Sequence, residues 1–121
     1  NSIIFKSLGQ KMYFSVMKNS NLVLGNSSSG IIESPSLKIP SLNIGDRQKG
    51  RVTARSTITC NPNRKEILKY INKLLSKKYI KKIKKTKNPY EKKDSSKKIF
   101  EKIINMNLKN ILKKNFYKVK I

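Results

Sequence analysis

Three runs of five or six residues set the terms for this chain: NLVLG at 21–25, PSLNIG at 40–45 and STITC at 56–60. They are too short for ordinary helices and too apolar for loops. The first two are closed by Gly25 and Gly45, and the third alternates β-branched residues. A short, continuously apolar run suits a strand buried on both faces, the environment of a parallel sheet. The segments around them carry helical spacing. Met12, Phe14, Val16 and Met17 behind Ser7 predict a half-buried helix over about 8–19. SGIIESPSL at 29–37 is a short helix candidate whose second turn Pro35 disturbs. Asn61 or Asn63 is placed to cap a helix running to about 85, with Ile67, Leu68, Ile71, Leu74 and Leu75 as its apolar stripe. TKNPY at 86–90 breaks it. A last helix restarts behind Ser95 and Ser96, with Ile99, Phe100, Ile103, Ile104, Leu108, Ile111 and Leu112 on or near one face. The order α, β, α, β, β, α, α indicates an α/β layer with a Rossmann-like parallel sheet. Three strands are fewer than such a sheet normally has, so the chain reads as the back end of a larger domain.

With 121 residues, one domain or part of one is expected. No run approaches the 18 or so apolar residues of a membrane-spanning helix. No charged segment followed by an apolar core marks a secretory signal at the start, which is Asn1, and truncation of a longer protein is the plainer reading. Cys60 is the single cysteine and histidine is absent, so an internal disulfide and a Cys/His zinc site are both excluded. No metal or cofactor is expected. A reducing, cytoplasmic setting fits.

The formal charge of +23 invites a nucleic-acid reading, but its distribution matters more. Residues 1–60 hold 8 Lys and Arg against 2 acids, and residues 61–121 hold 21 against 4. In the second half the cation is almost always lysine, interleaved with Ile, Asn and Tyr. That is the vocabulary an AT-rich genome writes into tolerant surface positions. We read the charge as compositional, with non-specific polyanion binding as its consequence.

The stretch LVLGNSSSGIIE at 22–33 has a different character. A buried strand runs through Gly25 into small hydroxyl residues, and a helix starts near Ser29 or Gly30. Ligands of open α/β sheets bind beyond the carboxyl ends of such strands. A helix start favours an anion, Ser27 and Ser28 add hydroxyl donors, and Gly30 permits close backbone approach. On this local pattern alone a serine-rich cap without a ligand is the simpler reading. Glu33 shifts the balance. It can sit near the helix start as a capping residue, or accept a bidentate hydrogen bond from a ribose diol. Arg47, Arg51 and Arg55 follow on a polar loop, and arginine's planar fork suits a diphosphate. Solvated loop charge is the expected role of Arg55.

The elements GNSS-x-G-x-x-E (25–33), P-x-x-N-x-G-x-RQ-x-GR (40–51) and NPY…SS-KI (88–99) occur in order. Together they closely resemble the nucleotide-binding segment of the UDP-N-acetylglucosamine 2-epimerases, and of these the hydrolysing branch fits best. The resemblance covers roughly residues 7–106. It implies a GT-B fold of two Rossmann-like halves, with this chain as the latter part of the C-terminal, UDP-binding half. Residues 1–107 would belong to that domain and 108–121 would form a Lys-rich helical or frayed tail. By resemblance Ser27, Ser28 and the Gly30 turn contact the diphosphate of a UDP-sugar, Glu33 holds the ribose hydroxyls, and Arg47 faces the diphosphate at the domain cleft. The implied reaction removes the C2 proton, eliminates UDP and adds water. The family's acid–base carboxylates come mainly from the missing N-terminal domain, so no catalytic residue is assigned here. The segment is expected to be inactive alone and homo-oligomeric in its full-length form. Two departures stand out: Glu91-Lys92-Lys93 where relatives have a Gly-Asp-Gly-like turn, and a tail after about 107 without a counterpart.

The alternatives are a basic nucleic-acid-binding module, another nucleotide-sugar protein, and a non-hydrolysing epimerase of the same family. A nucleic-acid module calls for aromatic platforms or an arginine-rich face. The aromatics here are scattered, several on helix stripes. Salt separates the classes. Backbone-phosphate binding to an RNA oligonucleotide falls by orders of magnitude between about 50 and 200 mM salt. UDP affinity, measured by calorimetry over the same range, is expected to weaken far less.

Overall fold

The computed structural model describes residues 1–109, in two compact units, Asn1–Glu91 and a second that starts at Lys92. The first unit holds one three-stranded parallel sheet of β1 (Val23–Gly25), β2 (Ser41–Ile44) and β3 (Thr57–Cys60), in that spatial order. The register pairs Leu24 with Leu42, Gly25 with Asn43, and Ile44 with Cys60. β2 is therefore the central strand, and Ser41, Leu42 and Asn43 are 1%, 1% and 5% exposed.

Alternation along β2 gives the sheet two unlike faces. Leu42 packs with Cys60 and Leu74 into the core, joined by Ile44, Ile58, Ile67, Ile71 and Tyr79. The other face is polar. Ser41 Oγ donates to the Gly30 carbonyl and is hydrogen-bonded to the Thr57 hydroxyl (2.9 Å), and Asn43 Nδ2 donates to Thr59 Oγ1 at 3.4 Å. β1 is less buried than its composition suggests. Leu24 is 50% exposed because β1 pairs with β2 alone among the described strands.

The helices are α1 (Gly9–Asn19), α2 (Ser29–Ile32), α3 (Arg64–Leu74), α4 (Lys77–Ile83) and, in the second unit, α5 (Ser95–Ile104). On α1 Met17 is buried and Phe14 half-buried, whereas Met12 and Val16 face out. α2 is a single turn, ending two residues short of Pro35, since the residue before a proline is pushed out of the helical region. The expected helix from 64 to 85 is two helices. Ser76 turns extended (ψ 139°), and its hydroxyl accepts from the Tyr79 N–H as the cap of α4. Of the two candidate caps for α3, Asn63 does the work, accepting from the Glu66 N–H at 2.9 Å. α5 follows Asp94 in the left-handed region (φ 58°) and stops at Ile104 instead of continuing to Leu108. There Asn107 Oδ1 accepts from the Lys109 N–H (2.9 Å), a backbone donor that a longer helix would use, while the Asn105 N–H and Nδ2 both reach the Glu101 carbonyl (3.2 and 2.8 Å). Ile111, Leu112 and the tail from residue 110 onward lie outside the described residues. No helix among the described residues is long and apolar enough to cross a membrane.

Two outcomes follow from this packing. Leu74 is 0% exposed at the centre of the core, so Leu74→Ala should lower unfolding free energy by about 2–5 kcal/mol in chemical denaturation. Glu66 accepts from the Asn61 N–H and Asn61 Nδ2 (both 3.0 Å) and from Asn63 Nδ2 (3.2 Å). The bonds from Asn61 are the main cause that holds its carboxyl below the ordinary glutamate range. A depressed folded-state pKa contributes stability above the unfolded value, about 4.3, that is lost as pH falls through the folded one. Denaturation of Glu66→Gln should therefore show a shallower stability loss below about pH 4.3 than the parent chain.

Candidate functional site

β1 ends in Gly25 (φ +146°), paired with Asn43, and β2 is followed directly by Gly45 (φ +83°). Each glycine turns the chain out of the sheet at its carboxyl end, the edge where parallel α/β sheets receive ligands. Two polar loops leave from there, 26–28 and 46–50. They are stapled together. Gln48, 8% exposed, donates from Nε2 to the Asn26 carbonyl at 2.9 Å. This bond joins GNSS to GDRQ and makes one rim of two segments separated by 22 positions.

On that rim the sequence-expected residues divide into groups. Ser27 and Gly30 line a small cavity of about 100 Å³ together with Tyr13 and Ser29. The Tyr13 hydroxyl is hydrogen-bonded to Ser29 Oγ, which ties α1 to the start of α2. Ser28 flanks α2, but its side chain makes no capping hydrogen bond. Ser27 Oγ instead accepts from the Ser29 N–H at 3.4 Å, so the capping role open to the serine cluster falls to Ser27. Gly30 is pinned down: its carbonyl accepts from Ser41 Oγ and from Thr57 Oγ1 at 3.3 Å. A Cβ there would meet Ser41 and Val23 at 3.6 Å, ordinary contact, so space for a methyl exists but for little more.

Two expectations need correction. α2 has four residues, too few for its dipole to carry much of an anion site. Glu33 stands at its C-terminal end, where its N–H donates to the Ser29 carbonyl at 3.0 Å. It is thus no N-terminal capping residue, and its half-buried carboxylate is left for another partner. Arg47 is exposed and lines a different depression, with Gly25, Asn26, Gly45 and Pro62. Gly25 borders both hollows, so the serines and Arg47 flank one strand end without sharing one cavity. Arg51 points elsewhere again, into an open cleft of about 1010 Å³ with Asn43, Thr59, Glu66 and Lys69. Arg55 is exposed, and its carbonyl accepts from the Tyr79 hydroxyl (2.8 Å).

Sequence reasoning gave no role to Gln48 or Tyr13. Gln48 lay inside a quoted motif, and a polar residue in an arginine-rich loop carries no burial signal. Tyr13 was read as one more residue of a helix. Chemically, the rim offers serine hydroxyls, the Asp46 carboxylate and the Arg47 guanidinium around a glycine-lined strand end, a set suited to a phosphorylated, hydroxylated ligand, and Glu33 follows on the next turn without lining either hollow. Among the described residues no cluster of three or more His, Cys, Asp or Glu could hold a metal ion. Burial pushes the Cys60 thiol up, with Glu66 adding to the shift, so it stays protonated and inert at neutral pH.

Comparison with known proteins identifies the family. The family model described as UDP-N-acetylglucosamine 2-epimerase matches residues 1–104. A polysialic acid biosynthesis protein P7 of Escherichia coli is 42% identical over 89 residues, 74% of this chain and 23% of that protein. A GDP/UDP-N,N'-diacetylbacillosamine 2-epimerase (hydrolyzing) of Campylobacter jejuni is 50% identical over 60 residues, 50% of this chain and 16% of that protein. A UDP-N-acetylglucosamine 2-epimerase of Neisseria meningitidis is 32% identical over 74 residues, 61% of this chain and 20% of that protein. The chain thus spans less than a quarter of the length of these curated relatives. With its parallel α/β sheet and a family match running from its first residue to the end of α5, the chain belongs to the UDP-N-acetylglucosamine 2-epimerase family.

Proposed function

We propose that this chain is the UDP-binding portion of a hydrolysing 2-epimerase acting on a UDP-linked 2-acetamido sugar. The observation that carries the reading is the Gln48–Asn26 staple, which holds the Ser27–Ser28 loop and the Arg47 loop at one strand end. Ser27, Ser28 and the Gly30 turn would meet the diphosphate, with Arg47 closing on it from the other side of Gly25. Glu33, uncommitted to a cap, would take the ribose hydroxyls. The hydrolysing assignment draws support from the similarity to the hydrolysing 2-epimerase of Campylobacter jejuni. In the whole protein, a GT-B enzyme on this reading, the N-terminal domain would supply the base. Loss of the C2 proton and of UDP leaves an unsaturated sugar, to which water adds. The acids around this rim are Glu33 and Asp46, one of them assigned to ribose, so general acid–base chemistry needs the other domain. The full-length enzyme is taken to be cytoplasmic and homo-oligomeric, and this segment alone to be inactive.

The test uses the full-length polypeptide and UDP-N-acetylglucosamine, with release of UDP as the readout. Glu33→Ala and Arg47→Ala should each raise KM by about tenfold or more, the scale of a lost hydrogen bond to a charged group. Reaction in ¹⁸O-water should place the label on the freed sugar. An unlabelled UDP-linked product would assign non-hydrolysing chemistry, and unchanged KM in both variants would remove Glu33 and Arg47 from the site.

A further inference from the structure

The segment Thr86–Glu91, which contains the NPY motif, is bound to the site-bearing loops in a way that gives it a specific task. Asn88 is 9% exposed and its amide is fully committed. Nδ2 donates to the Ile32 carbonyl and to Ser36 Oγ, both at 2.7 Å, and Oδ1 accepts from the Tyr90 N–H at 3.0 Å. Glu91 accepts from Ser36 Oγ (3.0 Å), and Lys38 Nζ donates to the Thr86 carbonyl (2.6 Å). The Tyr90 hydroxyl donates to the Val52 carbonyl (2.9 Å), beyond Arg47 on the same loop. Among the described residues, every side-chain hydrogen bond between this strap and the rest of its unit runs to 32–38 or to Val52.

The Ile32 carbonyl is the consequential partner. It shares one planar peptide group with the N–H of Glu33. That N–H is itself bonded to the Ser29 carbonyl (3.0 Å), so Asn88 and Ser29 hold the Ile32–Glu33 peptide from its two edges. With the plane fixed, the N–Cα bond of Glu33, about which its side chain can swing, is fixed too. The turn holds the following peptide itself, through the Ser34 N–H to the Ser29 carbonyl and the Ser36 N–H to the Glu33 carbonyl (both 3.1 Å), and among the described residues Asn88 is the one side chain from outside 28–39 hydrogen-bonded to residues 32–34. We infer that Asn88 is a positioning residue for Glu33, and that Tyr90 steadies the arginine loop in the same manner. The role for Glu33 rests on the proposed UDP site. Glu91 then adds a bond of its own between the strap and Ser36.

The experiment is a double-mutant cycle in the full-length polypeptide, with UDP affinity by calorimetry and amide exchange by mass spectrometry or NMR. Asn88→Ala should weaken UDP binding about tenfold when Glu33 is present and twofold or less in a Glu33→Ala background. Amides of Glu33 and Ser34 should exchange at least tenfold faster in Asn88→Ala, with those of β2 unchanged. Equal weakening in both backgrounds, or exchange that rises uniformly across the unit, would reduce Asn88 to a general stabiliser and overturn the inference. If the parent protein binds no UDP, the functional reading fails, and the exchange pattern alone decides whether Asn88 fixes the Glu33 peptide. Should Asn88→Ala not fold, Ser36→Ala removes the second acceptor of the same amide. It should then show the same background dependence with a change of about threefold, and its absence would equally overturn the inference.

Discussion

The double pairing of β2 is the constraint on which the site depends. Being hydrogen-bonded to β1 on one side and β3 on the other, it brings Gly25 and Gly45 to the same edge of the sheet. Its Ser41 hydroxyl reaches out of the sheet to the Gly30 carbonyl, so the central strand also anchors the turn after β1. On its other face Leu42 enters the core with Cys60 and Leu74. One four-residue strand thus couples burial, which fixes the sheet, to a polar face, which fixes the loops. The loops themselves are short of internal structure. They are held by individual side chains: Gln48 across to Asn26, Tyr13 across to Ser29, and the strap from Thr86 to Glu91.

The arrangement explains why a chain with so many lysines has so ordered a central stretch. Lys65, Lys69, Lys73, Lys77, Lys78, Lys81 and Lys82 lie on α3 and α4, exposed, where substitution alters little beyond solubility and non-specific attraction to polyanions. Residues 25–51 are bound by glycine conformations and by hydrogen bonds with defined partners. Composition is free to drift on the helices and is not free on the rim.

The strands and the α/β class were legible because each apolar run is brief and ends where its chemistry changes, at Gly25, at Gly45 and at Cys60–Asn61. The parallel arrangement followed from the alternation of short strands with helical segments and from the continuous apolarity of the first run. Breaks were harder to read. Ser76 interrupts a long helical pattern through a single hydroxyl acting as a cap, and beyond α5 the Asn107 side chain takes the Lys109 N–H that a longer helix would use. Both residue types also occur within helices, so only the local geometry decides. At the site, Ser27, Ser28, Gly30, Glu33 and Arg47 were nameable from motif and resemblance, but how they group was not. The sequence has no means of showing that Glu33 closes α2 instead of opening it, or that Arg47 and Arg51 turn into different hollows. Long-range bonds such as Asn88 to Ile32, 56 positions apart, leave no periodic trace at all.

The central claim is that a nucleotide diphosphate binds at the shared end of β1 and β2. The most direct test follows backbone amide shifts of the isotopically labelled protein while UDP is added at near-physiological salt. The claim predicts saturable shifts confined to Gly25–Glu33 and Gly45–Gly50, with the lysine-bearing helices α3 and α4 unmoved. Shifts that fall on α3 and α4 and disappear as salt is raised would contradict it. They would assign the interaction to diffuse positive charge instead of a built nucleotide site.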